Sequence, residues 1–304
     1  MKKILFAVVI CAITCFCLSG CDSPAKDSEK VQIVTTIFPT YDFARQIGGD
    51  KVQVTMLLPT GTEVHSYEPT PKDIITINES DIFITLGGDA EPWTNAVINS
   101  ADSDNFSVVC AMDNLRLIAE KHEHLSYSSN VHTDPHVWTT PKNAAIICEN
   151  ICAKLCEIDS TNAAYYRENL DEYKKELANL DEKFSALSEK CVKTIVFADQ
   201  FPFRYFAEEY AIKCFAAFPG CSDDSEPSVT TVAELIDTVK AENLTTVFYT
   251  ETSNQKLADN VCRETGAKKE LFHSCHNVTD EQLKEGITYI ELMEKNYLAL
   301  QKAI

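Results

Sequence analysis

The stretch Val52-Gln-Val-Thr-Met-Leu-Leu-Pro-Thr-Gly-Thr-Glu-Val-His-Ser-Tyr-Glu-Pro-Thr-Pro-Lys-Asp73 passes from strand to loop to helix in one segment. Val52 to Leu58 is a short apolar run, the pattern of a buried strand. Pro59, Pro69 and Pro71, with Gly61, then fix the loop's path, because proline pins φ and glycine admits positive φ. Pro71 suits the first position of a helix, which is expected from Pro71 to Ser80. The loop holds one imidazole, His65, at the end of a strand. Binding residues collect on braced loops of that kind.

The alternation continues in both directions. Upstream, Val31 to Phe38 reads as a strand closed by Pro39, and Tyr41 to Ile47 as a helix ended by Gly48-Gly49. Downstream, Asp81 to Leu86 is a third strand. Gly87-Gly-Asp-Ala-Glu-Pro-Trp93 is a loop before a short helix, and Ser107 to Cys110 is a fourth strand. Thr140-Pro141 starts a helix to Glu157. In Asp159 to Lys190 the residues Tyr166, Leu170, Tyr173, Leu177, Leu180, Phe184 and Leu187 recur at steps of three and four, with no Gly or Pro. That predicts one amphipathic helix of roughly 40–45 Å, with Asp171 and Lys175 spaced to pair. Strands then follow at Lys193–Ala198, Lys213–Phe218, Thr245–Thr250 and a short one ending at Leu271. Helices at Pro202–Tyr210, Thr231–Glu242 and Gln255–Thr265 separate them. A capping box, Thr279-x-x-Gln282, opens a last helix running to the C-terminus. Strands alternating with helices indicate parallel α/β layering in both halves, and the length favours two cores over one.

The N-terminus is of another kind. Met1-Lys-Lys3 precedes an apolar run from Ile4 to Phe16, too short to span a bilayer, so residues 1–20 read as a signal peptide. Leu18-Ser-Gly-Cys21 looks like a bacterial lipobox, with Cys21 as the lipidated residue and 21–30 as a polar tether. The formal charge is −19, which argues against nucleic acid and suits a cation's receptor. Of 13 cysteines, four lie in the signal and lipobox; the remaining nine are odd in number and include no Cys-x-x-Cys. Cys148, Cys152 and Cys156 share a helix stripe with Ile147, Ile151 and Leu155, which favours core packing over a soft-metal site. His122, His124 and His132 stand among acids and serines, the composition of a solvated polar loop. No P-loop is present, so any ATPase is another polypeptide, and no His-Glu-x-x-His helix marks a zinc hydrolase.

Gly61-x-Glu63-x-His65-x-Tyr67-Glu68-Pro69 and Asp134-Pro-His136-Val-Trp138 resemble the two signature motifs of zinc/manganese ABC-transporter substrate-binding lipoproteins. The likeness runs over nearly the whole mature chain. It implies an α/β fold of two lobes, each a mainly parallel sheet flanked by helices, joined by one long rigid helix. The boundaries expected are 31–158 for the first lobe, 159–190 for the joining helix and 191–304 for the second lobe. It also implies a monomeric receptor, lipid-anchored outside the cytoplasmic membrane, that captures a divalent ion for a membrane permease and catalyses nothing.

By the same resemblance His65 and His136 are metal ligands. The family's third ligand falls on Gln200, aligned through Phe203-Arg-Tyr-Phe206. A neutral amide binds zinc weakly, so Asp199 beside it is the better donor, and Cys221 is another. His273-Ser274 occupies the family's last Asp-Ser turn, so His273 replaces the carboxylate, with Cys275 and His276 as neighbouring candidates. Glu251, at a strand end, suits support of an imidazole. Three imidazoles lean toward Zn2+, with Mn2+ or iron as the alternative. A zinc hydrolase using Asp199 or Glu251 as base, and a surface adhesin, are the rival classes. Replacing His65 with Ala is expected to remove most tight metal binding; unchanged affinity by calorimetry would remove His65 from the site.

Overall fold

The computed structural model describes residues 30–62, 67–88, 91–100, 106–119, 133–218 and 227–304. The expected leader, Cys21, most of the tether, His65, the three histidines from His122 to His132 and Cys221 lie outside the described residues. Residues Val31–Ile304 form one compact unit. Its first half runs β1 (Val31–Thr35), α1 (Phe38–Gly48), β2 (Val52–Met56), α2 (Pro71–Asn78), β3 (Ile82–Thr85), α3 (Pro92–Ser100) and β4 (Ser107–Cys110). Helices α4 (Pro141–Ile158) and α5 (Ala163–Ser188) follow. The second half runs β5 (Ile195–Phe197), α6 (Arg204–Glu209), β6 (Cys214–Ala216), α7 (Val229–Ala241), β7 (Thr246–Tyr249), α8 (Lys256–Thr265) and β8 (Lys268–Leu271). It closes with α9 (Asp280–Glu285) and α10 (Tyr289–Ala303).

The two sheets have the same wiring, β2-β1-β3-β4 and β6-β5-β7-β8, with every pair parallel. In each, the chain leaves one central strand toward one edge and later returns to build the other. That reversal opens a crevice at the C-terminal ends of β1 and β3, and of β5 and β7, where ligands of open α/β sheets bind. The α/β two-lobe expectation holds. The cores are less separate than length suggested: one apolar cluster runs from Val31 and Ile33 through Tyr173 and Phe184 to Phe272 and Leu300. The predicted face of α5 supplies its middle, with Tyr166, Tyr173, Leu177, Leu180, Phe184 and Leu187 buried. Cys148 and Cys152 are buried in the same cluster and Cys156 packs against it, as core residues should.

Three local expectations need correction. The long helix starts at Ala163, because Asp159 accepts the Asn162 N–H and turns the chain through a 3-10 helix first. Its 26 residues span about 39 Å at 1.5 Å per residue. Lys175 pairs with Glu172 at 2.6 Å, one turn back, instead of Asp171. The last helix is two helices. The Thr279/Gln282 capping box forms, but Gly286 at φ 75° stops α9 in the left-handed conformation that glycine takes without strain. A second box, Thr288/Glu291, then opens α10.

The α10 N-terminus meets a fully buried carboxylate from the other lobe. Asp42 on α1 accepts the Tyr289 main-chain N–H at 2.8 Å and the Gln46 amide at 3.1 Å, with Arg45 at 3.9 Å. An anion suits the positive end of a helix. Burial nonetheless outweighs these partners and raises the Asp42 carboxyl from 3.8 to about 6. A folded-state pKa above the unfolded one means that the stabilisation is present at low pH and is lost as pH rises through 6. The stability of the protein relative to Asp42→Asn is therefore expected to fall by about 2 kcal/mol between pH 4 and pH 7. Urea unfolding of both proteins across that range checks it; a difference that grows with pH would be the wrong sign.

Candidate metal site

The candidate residues follow the C-terminal ends of strands in both lobes. His136 comes after β4 and opens a 3-10 turn, Val137–Thr139, before α4. Asp199 follows β5, Glu251 follows β7, and His273 to His276 follow β8. Within each lobe these positions fall on one side of the sheet, because its parallel strands all end there.

His136 is locked by its own turn. Asp134 Oδ1 accepts both the His136 main-chain N–H, at 2.9 Å, and its ring Nδ1–H, at 2.7 Å. The proton on Nδ1 leaves Nε2 unprotonated and wholly buried. Asp134 is steadied from the second lobe: Arg204 Nε lies 3.6 Å from its Oδ2, and Tyr205 donates its hydroxyl to the Asp134 carbonyl at 3.0 Å. Burial alone would raise the Asp134 carboxyl, but the hydrogen bond from His136, with the Arg204 charge, holds it below its usual range. The segment read as a departure from the third-ligand motif thus braces the second one.

The loop after β8 separates its candidates. His273 is held from behind, its main-chain N–H donating to Asn296 Oδ1 at 2.6 Å and its carbonyl accepting the Asn296 amide at 2.7 Å. Its Nδ1 accepts the Cys275 N–H at 3.0 Å, so that lone pair is spent on the main chain and the ring proton sits on Nε2. Burial pushes its pKa down, with Glu251 opposing, so the ring stays neutral. Cys275 turns through φ 63° and puts its thiol into the core, where burial pushes its pKa well up. His276 emerges on the other side. Its ring meets that of His136 edge-on, centroids 4.7 Å apart, and Trp138 packs against both rings at 4.8 Å and 5.6 Å.

Of the two histidines offered by His273-Ser-Cys-His276, His276 is the one brought against the motif histidine. The order of residues gave no means of choosing, because the left-handed turn at Cys275 decides it.

Both sides of this pair are stitched to one another. Trp138 Nε1 donates to the Ser274 carbonyl at 2.8 Å, and Phe38 N–H donates to the His276 carbonyl at 3.3 Å. The Asn277 amide donates to two carbonyls of the first lobe, Pro59 at 2.7 Å and Thr62 at 2.8 Å, and Gly61 N–H donates to Val278 O at 3.1 Å. Asn277 fastens the entry of the His65 loop to the loop that carries His276, a role sequence reading missed. Asp199 has one oxygen engaged: Oδ2 accepts the Thr250 N–H and hydroxyl, each at 2.8 Å, and so ties β5 to β7 at the crevice. In the first lobe Glu91 is tied to the end of β3, its Oε2 accepting Thr85 Oγ1–H and Leu86 N–H, each at 2.8 Å. Gln200, beside Asp199, is half-buried. Among the described residues no three His, Cys, Asp or Glu side chains converge closely enough to hold a metal by themselves.

Residues 33–303 match the family model of the zinc-uptake complex component A, periplasmic. The high-affinity zinc uptake system protein ZnuA of Bacillus subtilis is 31% identical over 99% of this chain and 97% of its own. The crystal structure of the metal-dependent lipoprotein YcdH from Bacillus subtilis superposes with TM-score 0.79 at 32% identity, covering 90% of this chain and all of that one. The Zn(II)-bound ZnuA-like domain of Streptococcus pneumoniae AdcA does so with TM-score 0.76 at 30% identity, covering 90% and 98%. The chain belongs to the ZnuA zinc-uptake family. Within it, Asp134→Asn is expected to weaken metal binding about 10- to 100-fold, because the ring it orients loses its fixed tautomer. Competitive titration with a zinc chelator measures this; full affinity in the variant would show that Asp134 does not act through His136.

Proposed function

We propose that this member of the zinc-uptake family is the extracytoplasmic receptor of an ABC importer, which captures Zn2+ between its two lobes and delivers it to a membrane permease. The observation that carries the reading is the buried pair His136 and His276, imidazoles from opposite lobes 4.7 Å apart by ring centroid. Two imidazoles sharing a tetrahedral zinc at 2.0–2.1 Å per nitrogen have ring centres roughly 5 Å apart. His65 supplies a third imidazole on the strength of its motif. A further donor is Asp199 or Gln200, which follow β5, or Cys221 by its chemistry. His273 serves behind the site as a neutral main-chain acceptor.

Nitrogen donors favour zinc over manganese, which prefers more oxygen. The use made of the carboxylates supports a receptor over a hydrolase. Asp134 holds a ligand in place, Asp199 holds two strands together, and Glu251 holds the Ser274 main chain and hydroxyl. Each of these carboxylates has a structural task, which favours binding without turnover as the expected activity. A lipid anchor at Cys21 would keep the receptor beside its permease without a transmembrane helix.

Protein purified without added metal should carry one zinc. His276→Ala should lose it, and His273→Ala should lose far less. Elemental analysis with competitive titration against manganese tests both statements. Full zinc content in His276→Ala, or preference for manganese, would overturn the imidazole-pair assignment.

A further inference from the structure

Ser274 sits between a carboxylate and an imidazole. Its Oγ lies 2.6 Å from Glu251 Oε1 and 3.1 Å from His276 Nδ1, and it accepts the His276 main-chain N–H at 3.2 Å. Its own N–H donates to Glu251 Oε2 at 2.8 Å. The direction of each bond follows from counting protons. A carboxylate accepts only, so the single hydroxyl proton of Ser274 goes to Glu251. The contact between Ser274 and His276 then needs a proton on Nδ1, and Nε2 of His276 is left unprotonated. His273, three residues earlier, has the opposite tautomer, since its Nδ1 accepts from Cys275. It stands 3.4 Å from the same carboxylate and is not joined to it through a hydroxyl.

We propose that Glu251 and Ser274 are positioning residues: a carboxylate–hydroxyl relay that fixes His276 as its Nδ1–H tautomer and presents Nε2 to the metal. The inference rests on the receptor reading above. It gives His276 what Asp134 gives His136 directly, with one hydroxyl interposed. A carboxylate hydrogen-bonded behind an imidazole raises the basicity of the nitrogen that faces the metal. The relay thus keeps a negative charge near the bound ion and still leaves a nitrogen, not an oxygen, as the donor. Glu251 is well placed for this because it follows β7, the strand paired with β8, and Ser274 N–H pins its second oxygen.

The test reads the tautomer and the affinity separately. Long-range proton–nitrogen correlation spectra of the metal-free protein at pH 8 report which ring nitrogen of each histidine is protonated. In the wild type His136 and His276 should both be Nδ1–H, and His273 should be Nε2–H. Ser274→Ala should move His276 toward Nε2–H, leave His136 unchanged and weaken zinc binding at least 10-fold. Glu251→Gln should act in the same direction. Ser274→Thr, which keeps the hydroxyl, should restore both readouts and guards against a variant that is merely misfolded. An unchanged His276 tautomer in Ser274→Ala overturns the relay, whatever happens to affinity. A shifted tautomer with full zinc affinity overturns His276 as a ligand and with it the reading on which the relay rests.

Discussion

The structure depends on the seam where the loop after β8 is bonded to the first lobe. Asn277, 1% exposed, donates to Pro59 O and Thr62 O, which lie more than 200 residues away in the chain. The Trp138 indole and the Phe38 main chain close on Ser274 and His276 from the other side. These donors and acceptors have left water, and a buried polar group without its partner costs about 1–3 kcal/mol. Breaking the seam therefore strands several groups at once, which ties the position of one lobe's histidine to the other lobe's backbone.

That seam lies on a shared apolar cluster instead of a hinge. Helix α5 contributes Tyr173, Leu177, Leu180 and Phe184 to a core that reaches both sheets, and Asp42 of the first lobe receives the first N–H of α10. A pair of lobes with separate cores can rotate about a linker at little cost. Here, rotation would open packed apolar surface and uncover a carboxylate's hydrogen bond. A receptor built this way holds its histidines in a preformed arrangement, and the helix acts through the surface it buries more than through its stiffness.

The chemistry of the pair comes from its second layer of contacts. A cation is poorly served by imidazolium rings, and neutral imidazole offers only one lone pair, so the ring proton must be on the far nitrogen. Asp134 settles this for His136 within a two-residue turn. Glu251 settles it for His276 across two strand ends, with Ser274 between. The eight described cysteines are all free thiols, and the fully buried Cys148 and Cys275 have pKa values pushed well up by burial. A thiol that stays protonated behaves as a small apolar side chain, which explains how a chain rich in cysteine builds its core with them.

Much was legible in the sequence alone. Strand and helix order followed from local pattern, because apolar runs, prolines and capping boxes act within a few residues. The Thr279/Gln282 box, the Pro71 helix start and the buried face of α5 are of this kind. The Asp134-Pro-His136 motif likewise announced its turn, and the acidic charge argued against nucleic acid. Only the tertiary structure decided which way the rings of His273 and His276 face. Their difference arises from a left-handed Cys275 held by contacts to Asn296, Trp138 and Phe38, all distant in sequence. The same holds for Asn277; Glu251 was legible as support for an imidazole, but only the fold shows that Ser274 links it to His276. Hydrogen bonds between residues tens to hundreds of positions apart leave no periodicity or spacing in the chain, because folding alone makes those residues neighbours.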